Sequence, residues 1–199
     1  MKKVVLVFLS TIIGACANIP LSAMVKMASL NPLEIVPKEL VAVVEMPSGV
    51  NVQEGDIIVY FKFNTPDANV NFSHEFALQN NSNYPLPKSL QSDLNPTKTY
   101  RTFTLSSADA ATMMQGQRIV KQFRMTSNEG GGFFHLSLNS ACRTSGFNAE
   151  LDKEINIHIK LEEQEDFFTL IDGADVTDLG KYNKKATANL AICDKFDSW

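Results

Sequence analysis

Ile155, Ile157, Ile159 and Leu161 alternate with Asn156, His158, Lys160 and Glu162. A period of two belongs to an extended strand with one dry and one wet face, because successive side chains leave a strand on opposite sides. Phe134, Leu136 and Leu138 repeat the pattern against His135, Ser137 and Asn139, directly after the flexible joint Gly130-Gly131-Gly132. The run Ile57-Ile58-Val59-Tyr60-Phe61-Lys62-Phe63 carries apolar groups on both sides, which suits a central strand covered on two faces. Further strands are expected over 41–46, 72–78, 99–105 and 167–171, with Pro47-Ser48-Gly49 as a turn and the acidic stretch 162–166 as a hairpin connection. About seven strands with mostly antiparallel connections and one moderate helix predict a mainly β fold, an antiparallel β-sandwich of the immunoglobulin-like kind with one helical insertion.

One helix interrupts this pattern. Ser107-Ala108-Asp109 supplies a serine cap and an acid for the first turn, and Met113, Met114, Gln117 and Val120 form its expected inner stripe. Gly116, followed by the alternation of Ile119, Lys121, Phe123 and Met125, leaves 118–126 open as helix or strand. The closing residues 186–193 read as a last strand or a short helix.

The first fifteen residues have a different purpose. Met1-Lys2-Lys3 precedes an apolar run of about ten residues and then Gly14-Ala15-Cys16, the layout of an export signal. The run is too short to span a bilayer, which takes roughly twenty apolar residues. Ile13-Gly14-Ala15-Cys16 resembles the lipobox, with isoleucine where leucine is commoner. That resemblance implies cleavage before Cys16 and lipidation of its thiol, and several acyl chains anchor a protein stably where one does not. Ala17, in place of an aspartate, implies the periplasmic face of the outer membrane. The expected organisation is a lipoprotein signal peptide over 1–15, a lipidated N-terminus and tether over 16–31, and a single β-rich periplasmic domain over 32–199. Within the tether, Leu21, Met24, Val25, Ala28 and Leu30 follow a mostly helical spacing after Pro20. This stripe is expected to pack against the body; the alternative is contact with lipid or a partner.

Cleavage removes Lys2 and Lys3 and no acid, so 16 basic residues face 22 acidic ones and the formal charge moves from −4 to −6. Such a balance argues against a nucleic-acid partner. With Cys16 acylated, Cys142 and Cys193 remain, and an oxidising compartment favours their pairing as a disulfide. The absence of Cys-x-x-Cys spacing argues against a redox site.

Other chemistry is sparse. His74 shares a strand face with Phe72, Phe76 and Leu78 and is followed by Glu75, which makes it the candidate metal ligand; a hydrogen-bonded core or edge histidine is its plainer reading. His135 and His158 fall on the polar faces of their strands, where solvation is the default. Asp172, Asp175 and Asp178 recur at every third position without the spacing of a calcium loop and read as a solvated helix face or cap. No Gly-x-Ser-x-Gly turn or phosphate loop is present, so no catalytic residue is assigned and no cofactor is expected. The polar stretch that opens at Gln79 and runs to Lys98 is long for a connection, and such loops are usually functional or disordered. It is the first place to look for binding.

Taken together, the lipobox, Asn31-Pro32-Leu33 with the 41–47 segment, the Ser107 to Asp109 helix start and the apolar stretch 168–178 closing on an acid resemble a group of uncharacterised, periplasm-facing bacterial lipoproteins. The resemblance implies an architecture and an address and brings no activity. The expected role is non-catalytic binding or scaffolding of another envelope component, protein or cell wall. The alternative is a periplasmic hydrolase or metal-binding protein using His74 and nearby acids.

Overall fold

The computed structural model describes residues 18–66, 70–92, 94–162, 166–179 and 190–193. The signal peptide, Cys16 and Ala17 lie outside the described residues, as do 163–165 of the acidic connection and 186–189 of the closing segment.

In chain order the elements are α1 (Leu21–Ser29), a 3-10 turn (Pro37–Glu39), β1 (Val41–Pro47), β2 (Val50–Asn51), β3 (Ile57–Asn64), β4 (Phe72–Ala77), β5 (Gln79–Asn80), α2 (Lys88–Gln91), β6 (Lys98–Thr104) and α3 (Ser107–Arg124). They continue with β7 (Gly131–Leu138), β8 (Cys142–Arg143), β9 (Glu154–Lys160), β10 (Phe168–Asp175), a second 3-10 turn (Val176–Asp178) and β11 (Ala191–Ile192). One sheet has the order β10-β9-β1-β6-β5 and a second has β4-β3-β7, both antiparallel throughout. A small third sheet, β11-β8-β2, carries the Cys142–Cys193 disulfide.

The fold is mainly β, a sandwich of antiparallel sheets with a helical insertion. Ala42, Val44 and Met46 of β1, Phe103 of β6 and Ile155, Ile157 and Ile159 of β9 share one core with Ile57, Val59 and Phe61 of β3, Phe76 of β4 and Leu136 of β7. The inward set on β9 is the one the alternation marks out, and burying each such side chain contributes roughly 1.5–3 kcal/mol. Constant immunoglobulin domains divide their seven strands as ABED and CFG. The strand order here is different, so the likeness is of architecture and not of connectivity.

Double coverage falls on a different strand from the one the sequence suggests. β3 is central in its sheet, yet Ile58, Tyr60 and Lys62 on its outer face remain half-exposed. β1 is the strand buried on both sides: Val41 and Val43, which point away from the core, are as inaccessible as Ala42 and Val44. The long polar stretch accounts for part of this, since it returns over the outer face of the five-stranded sheet. Asn81 donates to the Thr104 hydroxyl at 3.4 Å, and the Lys160 ammonium lies 5.9 Å over the Tyr84 ring.

α3 runs unbroken through Arg124, which settles 118–124 as helix. Ser106, one residue before the expected cap, accepts from the Asp109 amide at 3.0 Å. Met113, Gln117 and Val120 face inward, whereas Met114 is exposed. Gly116 is also buried, with the Phe72 ring of β4 seated against its backbone. Gln117 donates to the carbonyls of Pro32 and Ile35 at 3.0 and 2.8 Å, tying the helix to the proline-marked segment before β1.

Candidate functional site

The long stretch between β5 and β6 is ordered by local polar chemistry. The Asn81 amide donates to the Thr102 carbonyl at 2.8 Å, one step beyond the short β5–β6 pairing, and Tyr84 closes a turn on the Asn81 carbonyl. Pro87 then starts the single turn of α2. Asn95 caps the return, accepting from the Thr97 amide and hydroxyl at 3.0 and 2.8 Å. The far end is clamped by Lys98, a mostly buried side chain whose ammonium contacts Asp152 at 2.9 Å and the Glu154 carbonyl at 2.6 Å.

β5 pairs only with Phe103 and Thr104, so the first half of β6 lies beyond its end. There the chain walls a cavity of about 820 Å³, with Asn80, Asn81, Ser82, Tyr84, Pro85 and Leu86 on one side, Tyr100, Arg101 and Thr102 on the other, and Glu54 at its margin. Arg101 gives the cavity its distinctive chemistry. Burial pulls its pKa below the usual guanidinium range, although an arginine stays charged in any case. Its guanidinium makes no hydrogen bond or ion pair with another described residue. A partly desolvated cation with unused donors favours a carboxylate, carbonyl or phosphate oxygen, and the planar fork can grip two at once. Two residues after Glu54, burial raises the Asp56 carboxyl above the ordinary range, against the lowering effect of hydrogen bonds from Ser140 and the Gln53 amide.

No family model, curated protein or solved structure matches this chain. The site therefore has to be read from its own geometry.

His74 lies on the edge strand β4, exposed, its ring stacked between Phe72 at 4.5 Å and Phe76 at 5.6 Å between centroids. Glu75, its neighbour in sequence, leaves the strand on the opposite side. Among the described residues no three His, Cys, Asp or Glu side chains converge as a metal-binding group. His135 stays on the open face of the three-stranded sheet beside Tyr60, and desolvation by the sheet pulls its pKa below the ordinary value.

His158 departs from the solvated position expected of it. Its side chain is only 12% exposed, because the outer face of this sheet is covered. It stands between the Thr169 hydroxyl at 3.1 Å from Nδ1 and the Glu45 carboxylate at 3.5 Å from Nε2. Asn156 donates to the same carboxylate at 3.1 Å and accepts from the Gly173 amide at 2.7 Å. A hydroxyl, an imidazole and a carboxylate in a row is the order of a nucleophile, its base and an orienting acid. The cavity beside β6 is not lined by Thr169, His158 or Glu45, so it offers no substrate space next to this row. The row joins β10, β9 and β1 as a polar ladder on a covered face.

The three acids separate. Asp172 lies in β10, Asp175 caps the second 3-10 turn by accepting from the Thr177 amide at 2.9 Å, and Asp178 ends that turn. They share no helix face. Arg101 escaped sequence reasoning altogether, because Lys-Thr-Tyr-Arg-Thr-Phe-Thr reads as an ordinary strand. Its importance follows from where β5 stops.

Proposed function

We propose that this protein is an envelope lipoprotein, acylated at Cys16 and facing the periplasm from the outer membrane, whose β-sandwich body binds another envelope component without catalysis. The observation that carries the binding role is the 820 Å³ cavity between the polar stretch and β6, with Arg101, whose side chain has no hydrogen-bond or ion-pair partner among the described residues, in its lining. A ligand presenting a carboxylate or a backbone carbonyl to Arg101, with its apolar part against Tyr84, Pro85 and Leu86, matches the lining. The anchor reading rests on the lipobox-like Ile13-Gly14-Ala15-Cys16. No described helix is long and apolar enough to cross a membrane.

The test places a photo-cross-linking benzoylphenylalanine at Ser82, an exposed residue on the cavity rim, in living cells. Illumination should give a discrete adduct that Arg101→Ala weakens at unchanged protein level. Absence of any adduct from Ser82, or an adduct indifferent to Arg101→Ala, contradicts the reading.

A further inference from the structure

The helix α1 has two apolar stripes, and only one of them is used by the body. Ala23 is buried, Met27 and Leu30 pack against the core, and Lys26 lays its ammonium over the Phe168 ring at 4.6 Å. The other stripe, Leu21, Met24, Val25 and Ala28, follows the i, i+3, i+4, i+7 spacing of one helix face and points away from the body. Leu21 is 74% exposed, Val25 63% and Met24 39%. Of the stripe expected to pack on the body, Leu30 does so; the other four residues face outward, and Ala23 and Met27 pack in their place.

We infer that the Leu21, Met24, Val25, Ala28 face of α1 lies in the lipid interface, so that the body sits on the membrane surface in a fixed orientation instead of hanging from a loose tether. This rests on the acylation of Cys16 proposed above. Given that anchor, distance decides the matter. The Asp172 amide donates to the Asn18 carbonyl at 2.8 Å, which pins Asn18 to β10. Consecutive Cα atoms are about 3.8 Å apart, so Cys16 lies within roughly 8 Å of that pinned residue whatever path the chain takes. A helix of nine residues is only about 14 Å long. Its exposed stripe is therefore held beside the acyl chains, where insertion of leucine, valine and methionine is favourable. The stripe carries no charge, and Lys26 is turned toward Phe168. Docking is thus apolar, with little dependence on anionic lipid.

The experiment uses the full lipidated chain, extracted from membranes and reconstituted in phosphatidylethanolamine/phosphatidylglycerol vesicles. An environment-sensitive nitrobenzoxadiazole probe is attached in turn through Leu21→Cys, Val25→Cys and, as a distant reference, Ser82→Cys; the Cys142–Cys193 disulfide leaves the new thiol as the reactive one. Flotation with the vesicles reports the anchor, and quenching by spin-labelled lipid reports the helix. We expect flotation of all three proteins, with blue-shifted emission and several-fold stronger quenching at positions 21 and 25 than at 82. Replacing phosphatidylglycerol by phosphatidylcholine should leave this ratio unchanged. Floating protein with water-like emission at 21 and 25 overturns the docking and spares the anchor. Blue-shifted emission that lipid quenchers do not reach also overturns it, in favour of a protein partner or a second copy covering the stripe. Failure to float overturns the anchor reading and the docking with it.

Discussion

Replacing Gly116 by alanine sets two opposing effects against each other in the middle of α3. Helix propensity favours the alanine by about 1 kcal/mol, since glycine is the poorest helix former after proline. Packing opposes it. A Cβ at position 116 would stand 2.5 Å from Cε2 and Cζ of Phe72 and 2.7 Å from Cε1, well inside contact distance. Phe72 has little freedom to withdraw, because Phe61 lies on one side at 5.3 Å between ring centroids and His74 stacks on another at 4.5 Å. Overfilling a packed site costs about 1–3 kcal/mol, so the balance falls at about 1 kcal/mol of net destabilisation. Urea unfolding of the protein with its disulfide intact should show a lower midpoint for Gly116→Ala at constant m-value. The decisive control is Phe72→Leu, which removes the ring atoms nearest the new methyl. In that background the same Gly116→Ala change should stabilise, giving a coupling of roughly 2 kcal/mol between sites that behave additively when apart. A stabilising Gly116→Ala in the wild type, or additive behaviour of the pair, refutes the seating of α3 on β4.

Three other outcomes follow from single contacts. Gln117→Leu keeps the size of the side chain but strands the Pro32 and Ile35 carbonyls, and should lower stability by about 2–3 kcal/mol in the same unfolding assay. For Asp175, burial alone would raise the pKa, but hydrogen bonds from Lys153 and Thr177 and the lysine charge outweigh it and hold the carboxyl below its ordinary 3.8. The resulting stability is fully present above pH 3.8 and lost as pH falls through the depressed value, so Asp175→Asn should destabilise at neutral pH and converge with wild type in acid. The Cys142–Cys193 bridge spans 51 residues, and its loss should cost roughly 4 kcal/mol in the chain-entropy account; thiol labelling of the exported protein should be blocked until reductant is added.

Alternation along a strand tells which residues share a face, and this made the inward sets of β9 and β7 legible from the sequence. It does not tell what covers the other face. Register puts His158 on the outer side of β9, as the alternation implies, yet that side is covered and its side chain is only 12% exposed. Its companions Glu45 and Thr169 come from β1 and β10, and their adjacency depends on strand pairing that no local pattern encodes. The same limit applied to α1, where apolar residues lie on both sides and periodicity alone cannot choose which side meets the body. In α3 the propensity cost of Gly116 and the alternation after it obscured a continuous helix. The glycine is there to admit the Phe72 ring, a tertiary reason invisible at the level of propensity. Length and polarity did single out the stretch that walls the cavity, while Arg101 became visible only through the early end of β5.

The measurement that tests the central claim most directly is the intact mass of the protein extracted from membranes of the cells that make it. The account predicts a chain that begins at Cys16, carries diacylglycerol on the cysteine sulfur, and contains Cys142 and Cys193 in the oxidised state. A chain that retains residues 1–15, or one that begins elsewhere with an unmodified Cys16 or none, would contradict it.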